Sequence, residues 1–493
     1  MNPTHGGYGG TELRSQPSAE APPAEPGEPV EEEEGAETGQ SAAAKSPLLR
    51  ALMHVKWATL LQKAGKYERA TEHFRSSLEL LPSARAHFGL GTCLGALRLR
   101  REAAEELRRA VQLCPSMVGA IINLAGVQLG LGDFAEAERL CREALRLEPD
   151  SREATMNLAN ALRNLGRRDE AVALVWEQIL RHQTGRSSDA ADVAIPVVQI
   201  DCSRWNESQE RSSAAAAADA PPDAVLVCLK WGQRYDAAYV NRLCAAASRQ
   251  LPSTPRCVCF TESPEGIDAS IEVRELPEKF HLWWGKAYLF SEEAGLDGKR
   301  VLFLDLDQVI VGSLEPLASY RGPFALLRTD GIACELAEGG YNSSVISWTG
   351  GPFWRPLFQC LTPSVLRYVH RFDHWLEMML KGADVWQQIA PGKVVDYTTV
   401  FRAGVCLGAD DDDGAFAAGA ADDAAATTAA PAEPPEGCAI VTFPRSPKPH
   451  EVLEEHRWIR THWGDVLSDV KEEKRRDGLR HAPGDGATCR SAG

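Results

Sequence analysis

From residue 48 to residue 182 the chain repeats itself about every 34 residues. Ala70, Ala103, Ala137 and Ala171 are spaced 33, 34 and 34 apart, and Pro82, Pro115 and Pro149 follow at the same period. Trp57, Leu90, Leu124 and Leu158 mark a third equivalent position. Gly65, Gly132 and Gly166 mark a fourth, where the second unit has Arg98 instead. A unit this short cannot bury its own apolar face and must stack on its neighbours. Each reads as two short amphipathic helices, as in "AIINLAGVQLGLGDFAEAERLCREALRLEP". The small alanines let the helices approach closely, and the proline ends the second one.

In its period and in the order of its small, apolar, glycine and proline positions, this stretch resembles the tetratricopeptide repeats. About four repeats cover 48–182. The resemblance implies an all-α superhelix whose concave surface takes a peptide or a protein partner.

At 493 residues the chain is too long for one core. Its net charge of −16 is local: residues 1–46 carry nine acidic and two basic side chains, and residues 405–437 carry eight acidic and none basic. Those two stretches hold −15 between them, so no basic surface points to a nucleic-acid partner. Residues 1–46 are too poor in apolar side chains to offset the entropy of ordering and read as a disordered acidic tail. Residues 186–222 read as a linker in which "VAIPVVQI" has the texture of a docking strand. Residues 223–466 read as an α/β domain, interrupted by a disordered insertion at 406–438 and followed by a disordered tail at 467–493. Short β-type runs such as "AVLVCL", "RCVCF" and "VLFL" alternate with helical stretches, which argues for a largely parallel sheet. The run Asp410–Asp413 lacks the ligand spacing of a calcium loop.

The thirteen cysteines are scattered without paired spacing and read as small core residues in a reducing compartment. No clustered set of four Cys or His side chains suggests zinc. The first residues contain no apolar signal core, and no run approaches a membrane span, so the expectation is a cytoplasmic protein.

The stretch "VLFLDLDQVIVGSL", residues 301–314, ends an apolar strand in Asp305 and Asp307. Alternation along a strand puts both carboxylates on one face, at the carboxyl edge where open α/β sheets bind ligands. Two anions held so close repel each other, and a divalent cation relieves the repulsion. Two enzyme classes use such a pair. "DLDQVIV" resembles the first motif of haloacid-dehalogenase-type phosphatases, with Asp305 as nucleophile. However, some eighty residues of α/β sequence precede it, and Gln308 replaces the usual glycine.

The second class is the metal-dependent glycosyltransferases of the GT-A fold. "LVCLKWGQRYDAAYVNRL", "HLWWGKAYLF", "FLDLDQVIVGSLEPL", "GGYNSSVISW" and "FPRSPKPHEVLEEHRWIRTHW" occur in the order expected for relatives of glycogenin and of the lipopolysaccharide glycosyltransferases. The resemblance covers about 223–463 apart from the insertion. It implies a multidomain chain: an all-α tetratricopeptide-repeat superhelix followed by an α/β GT-A-like glycosyltransferase domain. It also implies Mn²⁺ or Mg²⁺ held by Asp305 and Asp307 against a nucleotide-sugar donor, expected to be UDP-linked. The resemblance further places Lys230, Tyr235, Lys286 and Lys448 as donor contacts, and Asn342 and Asp384 near the transferred sugar. Relatives carry a histidine as third metal ligand where this chain has Thr442 and Pro444, so His450 is the nearby substitute. The related families retain anomeric configuration. A non-enzyme alternative is a repeat scaffold whose transferase domain has lost its activity.

Overall fold

The computed structural model describes residues 46–184, 199–205, 224–277, 282–329, 339–369, 371–401, 431–443 and 447–463. Residues 1–45 of the expected acidic tail (1–46), 406–430 of the expected insertion (406–438), all of the expected tail at 467–493 and most of the expected linker lie outside them.

Eight helices stack in sequence among the described residues: α1 (Pro47–Lys63), α2 (Tyr67–Leu80), α3 (Ala84–Ala96), α4 (Arg100–Leu113), α5 (Val118–Leu131), α6 (Phe134–Leu147), α7 (Arg152–Asn164) and α8 (Arg168–Thr184). The repeated positions have physical causes. Ala70, Ala103, Ala137 and Ala171 are fully buried, so any larger side chain would hold the helices apart. Pro82, Pro115 and Pro149 each stand two residues beyond the last residue of α2, α4 and α6, where a missing N–H costs no helical bond. Gly65, Gly132 and Gly166 have φ of +73°, +81° and +75° and close the first helix of their repeats, and Arg98 takes the same left-handed conformation at φ +63°.

The second body is an α/β domain. Its main sheet has seven strands in the order β10 (Asp384–Val385), β7 (Phe324–Arg328), β8 (Tyr341–Thr349), β5 (Arg300–Leu304), β2 (Ala224–Lys230), β3 (Arg256–Thr261) and β4 (Glu272–Glu275). All neighbours are parallel except β8, which runs antiparallel to both β5 and β7. The sheet is largely parallel, as expected, with β8 the single reversed strand. Strands β11 (Val394–Asp396), β12 (Ile440–Thr442) and β6 (Val309–Ile310) form a small second sheet beside the end of β5.

Two expected boundaries are corrected. Inside the supposed linker, Ile200–Asp201 forms β1, paired in parallel with β9 (Leu380–Lys381), and Ile200, Cys202 and Trp205 are buried there. At the end of the supposed insertion, Cys438 is buried against Lys393 and Ile440. The first is the end of the "VAIPVVQI" run that reads as a docking strand, and the second begins the apolar run Cys438–Val441 straight after a stretch rich in Pro and Glu.

Alternate residues of β2 and β3 divide between two apolar cores. Leu226, Cys228, Cys257 and Cys259 pack against α9 (Ala237–Gln250). Val225, Val227, Val258 and Phe260 belong to a core continuous with that of the repeats. Helix α8 packs on α11 (Pro363–Tyr368), and Trp176 of α8 lies 5.9 Å, centroid to centroid, from Trp375 of α12 (Phe372–Met379). The array is thus joined to the sheet through buried surface.

Candidate functional site

Strand β5 is buried along its whole length and ends at Leu304. Asp305 and Asp307 lie in the turn that follows, before β6. They are therefore not on one face of a strand, as the alternation argument expected. The backbone N–H of Asp305 donates to Ser344 O at 2.9 Å, so β8 fixes where the turn begins.

Each aspartate faces an ammonium. Lys286, on the short helix α10 (Gly285–Tyr288), donates from Nζ to Asp305 Oδ2 at 2.8 Å and to Ser343 O and Oγ at 3.1 and 3.0 Å. Its Nζ also stands 5.2 Å from the centre of the Phe303 ring. Lys448 donates to Asp307 Oδ2 at 2.9 Å and to Phe443 O at 3.0 Å. Asp307 also accepts from the Tyr235 hydroxyl at 3.0 Å and from Gln308 Nε2 at 3.2 Å. The result is a compact cluster of two carboxylates and two ammoniums at the carboxyl edge of the central strand. Asp307 is closed in at 11 % side-chain exposure, whereas Asp305 keeps 30 %.

The surroundings act differently on the two carboxyls. Burial pushes Asp305 up to about 7, against the pull of Lys286 and with the repulsion of Asp307. Burial acts on Asp307 in the same sense, but Lys448 and the hydrogen bonds from Lys448 and Tyr235 hold it below the ordinary carboxylate value. Burial and the nearby Asp307 charge raise the Tyr235 phenol, which keeps it a donor.

Sequence reasoning named Asp305, Asp307, Lys286, Lys448 and Tyr235, and the fold brings these five together. The other four are hydrogen-bonded to other groups. Lys230 closes β2 by donating to Ser263 O and Oγ at 3.0 and 2.5 Å. Asn342 Oδ1 accepts from the N–H and hydroxyl of Ser344 at 3.0 and 2.5 Å, so its carbonyl is spent on its own strand. His450 Nδ1 is hydrogen-bonded to the Tyr239 hydroxyl, and burial lowers its pKa. Asp384 begins β10, three strands away from β5 and level with Leu302, because both are in register with Ser347 through the ladder. That places it about 14 Å across the sheet and about 10 Å short of Asp305 along the strand. It accepts instead from the Tyr320 hydroxyl at 2.6 Å. Asp384 therefore does not belong to this site.

What calls for a divalent cation at such a pair is the repulsion between two uncompensated carboxylates. Here an ammonium already stands against each aspartate, and Tyr239 takes the first nitrogen of His450. No group of three His, Cys, Asp or Glu side chains able to hold a metal occurs among the described residues. As arranged, the residues present do not fit Mn²⁺ or Mg²⁺. The phosphatase reading meets a different obstacle, since β2, β3 and β4 all precede β5 in the chain and share its sheet.

Sequence reasoning missed Ser343, Tyr239, Asp373 and Glu377. Asp373 and Glu377 stand four residues apart on one side of helix α12, a spacing that ordinarily reads as a solvent-facing side. Asp373 Oδ1 accepts from the N–H of Ser343 at 2.9 Å, and Glu377 Oε1 from that of Tyr341 at 3.2 Å, so both hold the start of β8.

Most of the cysteines are core residues: among the described residues ten are free thiols, and nine of these are buried. No helix among the described residues is long and apolar enough to cross a membrane.

Comparison with known proteins concerns the helical array. Tetratricopeptide-repeat profiles match residues 55–118 and 128–190. A tetratricopeptide repeat-containing protein, trd-1, of Caenorhabditis elegans is 32% identical over 117 residues, which is 23% of this chain; the chain spans 15% of that relative's length. Among solved structures, MamA is 21% identical, covering 27% of this chain and 80% of its own at a TM-score of 0.27. YrrB, described as a tetratricopeptide-repeat protein with an unusual peptide-binding site, is 25% identical, covering 27% and 71% at a TM-score of 0.25. The α/β domain lies outside both profile matches. On the period, the buried alanines, the left-handed helix ends and the profiles, the helical array of this chain is a set of tetratricopeptide repeats.

Proposed function

We propose that this chain is a partner-binding scaffold whose repeats take up a peptide or protein segment along the inner face of their first helices. The observation that carries this reading is a pair of side-chain amides at equivalent positions of the third and fourth repeats. Asn123 and Asn157 are 34 residues apart, on α5 and α7, and both are half-buried. Asn123 Nδ2 donates to Thr92 Oγ1 of α3 at 3.0 Å, and Asn157 Nδ2 to Ile122 O of α5 at 3.4 Å. Each amide thus links one repeat to the one before it. It also retains an oxygen with acceptor capacity for the backbone of an extended segment.

A phage-displayed random peptide library panned on the full chain tests this. Peptides should be enriched that bind the wild type and fail on Asn123→Ala/Asn157→Ala. No enrichment, or peptides that bind both chains equally, would remove the inner face from the reading.

A second reading has one observation in its favour. Asp305, Asp307, Lys286, Lys448 and Tyr235 converge at the sheet edge where α/β folds hold nucleotides, in the order seen in GT-A glycosyltransferases. Under that reading the α/β domain binds a nucleotide sugar, with the lysines facing its diphosphate. Calorimetry with UDP, in the presence and absence of Mn²⁺, on the full chain and on Lys286→Met, separates the two readings. Binding lost in the variant supports the transferase site, and no binding in any condition leaves the scaffold alone.

A further inference from the structure

Among the described residues, the first repeat ends the array with an open stacking face. Met53 and Leu60 of α1 occupy the positions held by Ala86 and Cys93 in α3, Ala120 and Val127 in α5, and Ala154 and Ala161 in α7, on the same spacing as the repeat alanines. Those six residues are at most 1% exposed, because α2, α4 and α6 pack over them. Met53 is 48% exposed and Leu60 46%. Leu49, four residues before Met53, continues the same side of the helix, and Leu48 and Leu52 flank it; all three are exposed. The terminal unit of a repeat stack ordinarily turns a polar face outward. This one presents leucines and a methionine instead.

Charge narrows what can cover the face. Helix α1 carries Arg50, Lys56 and Lys63, all exposed, and contains no aspartate or glutamate. Two copies meeting face to face would bring like charges together. Head-to-tail stacking is closed off, because the other end of the array, α8, is already packed against α11 and Trp375. We infer that the open face of α1 docks an acidic amphipathic helix of another protein, lying where the second helix of a preceding repeat would lie. Its apolar side covers Leu49, Met53 and Leu60, and its carboxylates meet Arg50 and Lys56.

The test uses the full chain and a helix-stapled peptide of the α6 sequence, Phe134–Leu147, with its three arginines replaced by glutamate. Its control is the same peptide with its glutamates replaced by lysine instead. Fluorescence anisotropy should show the acidic peptide binding, weakening as salt screens the charges, and the basic control binding at least about ten-fold more weakly. Met53→Asp/Leu60→Asp should abolish binding, and Arg50→Glu/Lys56→Glu should reverse the preference between the two peptides. Met53 and Leu60 are exposed, so the aspartates leave the fold intact, and the charge-reversal variant tests the face without touching its apolar part.

Absence of binding, or equal binding of the two peptides, would overturn the inference. So would a dimer in sedimentation equilibrium that Met53→Asp/Leu60→Asp dissolves, since the face would then belong to a second copy. Carbodiimide cross-links from Lys56 to Glu31–Glu34 within the free chain would overturn it in favour of the chain's own N-terminal segment. The outcome is independent of the inner-face amides, because Asn123→Ala/Asn157→Ala leaves α1 unaltered.

Discussion

Arg163 of the fourth repeat and Glu377 of the α/β domain, 214 residues apart in sequence, form an ion pair at 3.1 Å in which the two side chains are 7% and 8% exposed. The second oxygen of Glu377 holds the N–H of Tyr341, and Asp373, one turn earlier, holds that of Ser343. Ser343 in turn holds Lys286 against Asp305. A run of hydrogen bonds therefore leads from the last repeat to the carboxylate pair.

Removing one partner of a buried pair leaves an uncompensated charge, which costs about 3–5 kcal/mol. Arg163→Ala should lose stability on that scale in urea denaturation. Arg163→Met/Glu377→Met, which removes both charges and keeps most of the volume, should lose clearly less. A loss below about 1 kcal/mol for the single change would mean that apolar packing around Trp176 and Trp375 joins the two bodies without help from the ion pair.

Arg98 stands where the other three repeats have glycine, at φ +63°. A Cβ built at Gly65, Gly132 or Gly166 meets nothing within 4 Å, so space does not select glycine at this position. Backbone strain does, since a left-handed L-residue costs roughly 1–2 kcal/mol. Glycine gives back part of that gain through its greater freedom when unfolded, about 0.5–1 kcal/mol. Arg98→Gly should therefore stabilise the chain by about 0.5–1 kcal/mol, seen as a higher urea midpoint at unchanged slope. A lower midpoint would show that the arginine side chain contributes more than its backbone strain costs.

The repeats were legible because a helical array writes its geometry in a fixed period: Ala70, Ala103, Ala137 and Ala171 are small for one shared reason. The carboxylate pair was legible because an apolar run rarely continues through two aspartates. What escaped depends on contacts distant in sequence. Asp384 lies near Trp386 and Gln387 in a stretch that reads as plausible site sequence, yet strand order carries it to the far side of the sheet. The partners of Asp305 and Asp307 were named as separate donor contacts. Only the fold shows that the lysines hold the aspartates directly. Arg163 and Glu377 gave no sign of each other, because charges on two amphipathic helices ordinarily read as solvent-facing.

That lysine–aspartate arrangement makes a pH prediction with opposite signs for the two carboxyls. Asp305 is raised from 3.8 to about 7 in the folded chain. Between those values the folded state keeps a proton that the unfolded state has lost, so this group's contribution to stability falls as pH rises through the window and is gone above about 7. Asp307 is lowered below 3.8, so its contribution is present above that value and is lost as pH falls through the folded one. Asp305→Asn should flatten the slope between about pH 4 and 7 and leave the acid limb in place. Asp307→Asn should do the reverse, and it should also destabilise the chain by stranding Lys448, which is 6% exposed. Because an ammonium stands against each carboxylate, Mn²⁺ should leave the melting temperature of the wild type unchanged across this range. A Mn²⁺-induced rise that Asp305→Asn abolishes would show that a metal displaces Lys286, and the ion pairs would then describe only the resting form of a metal site.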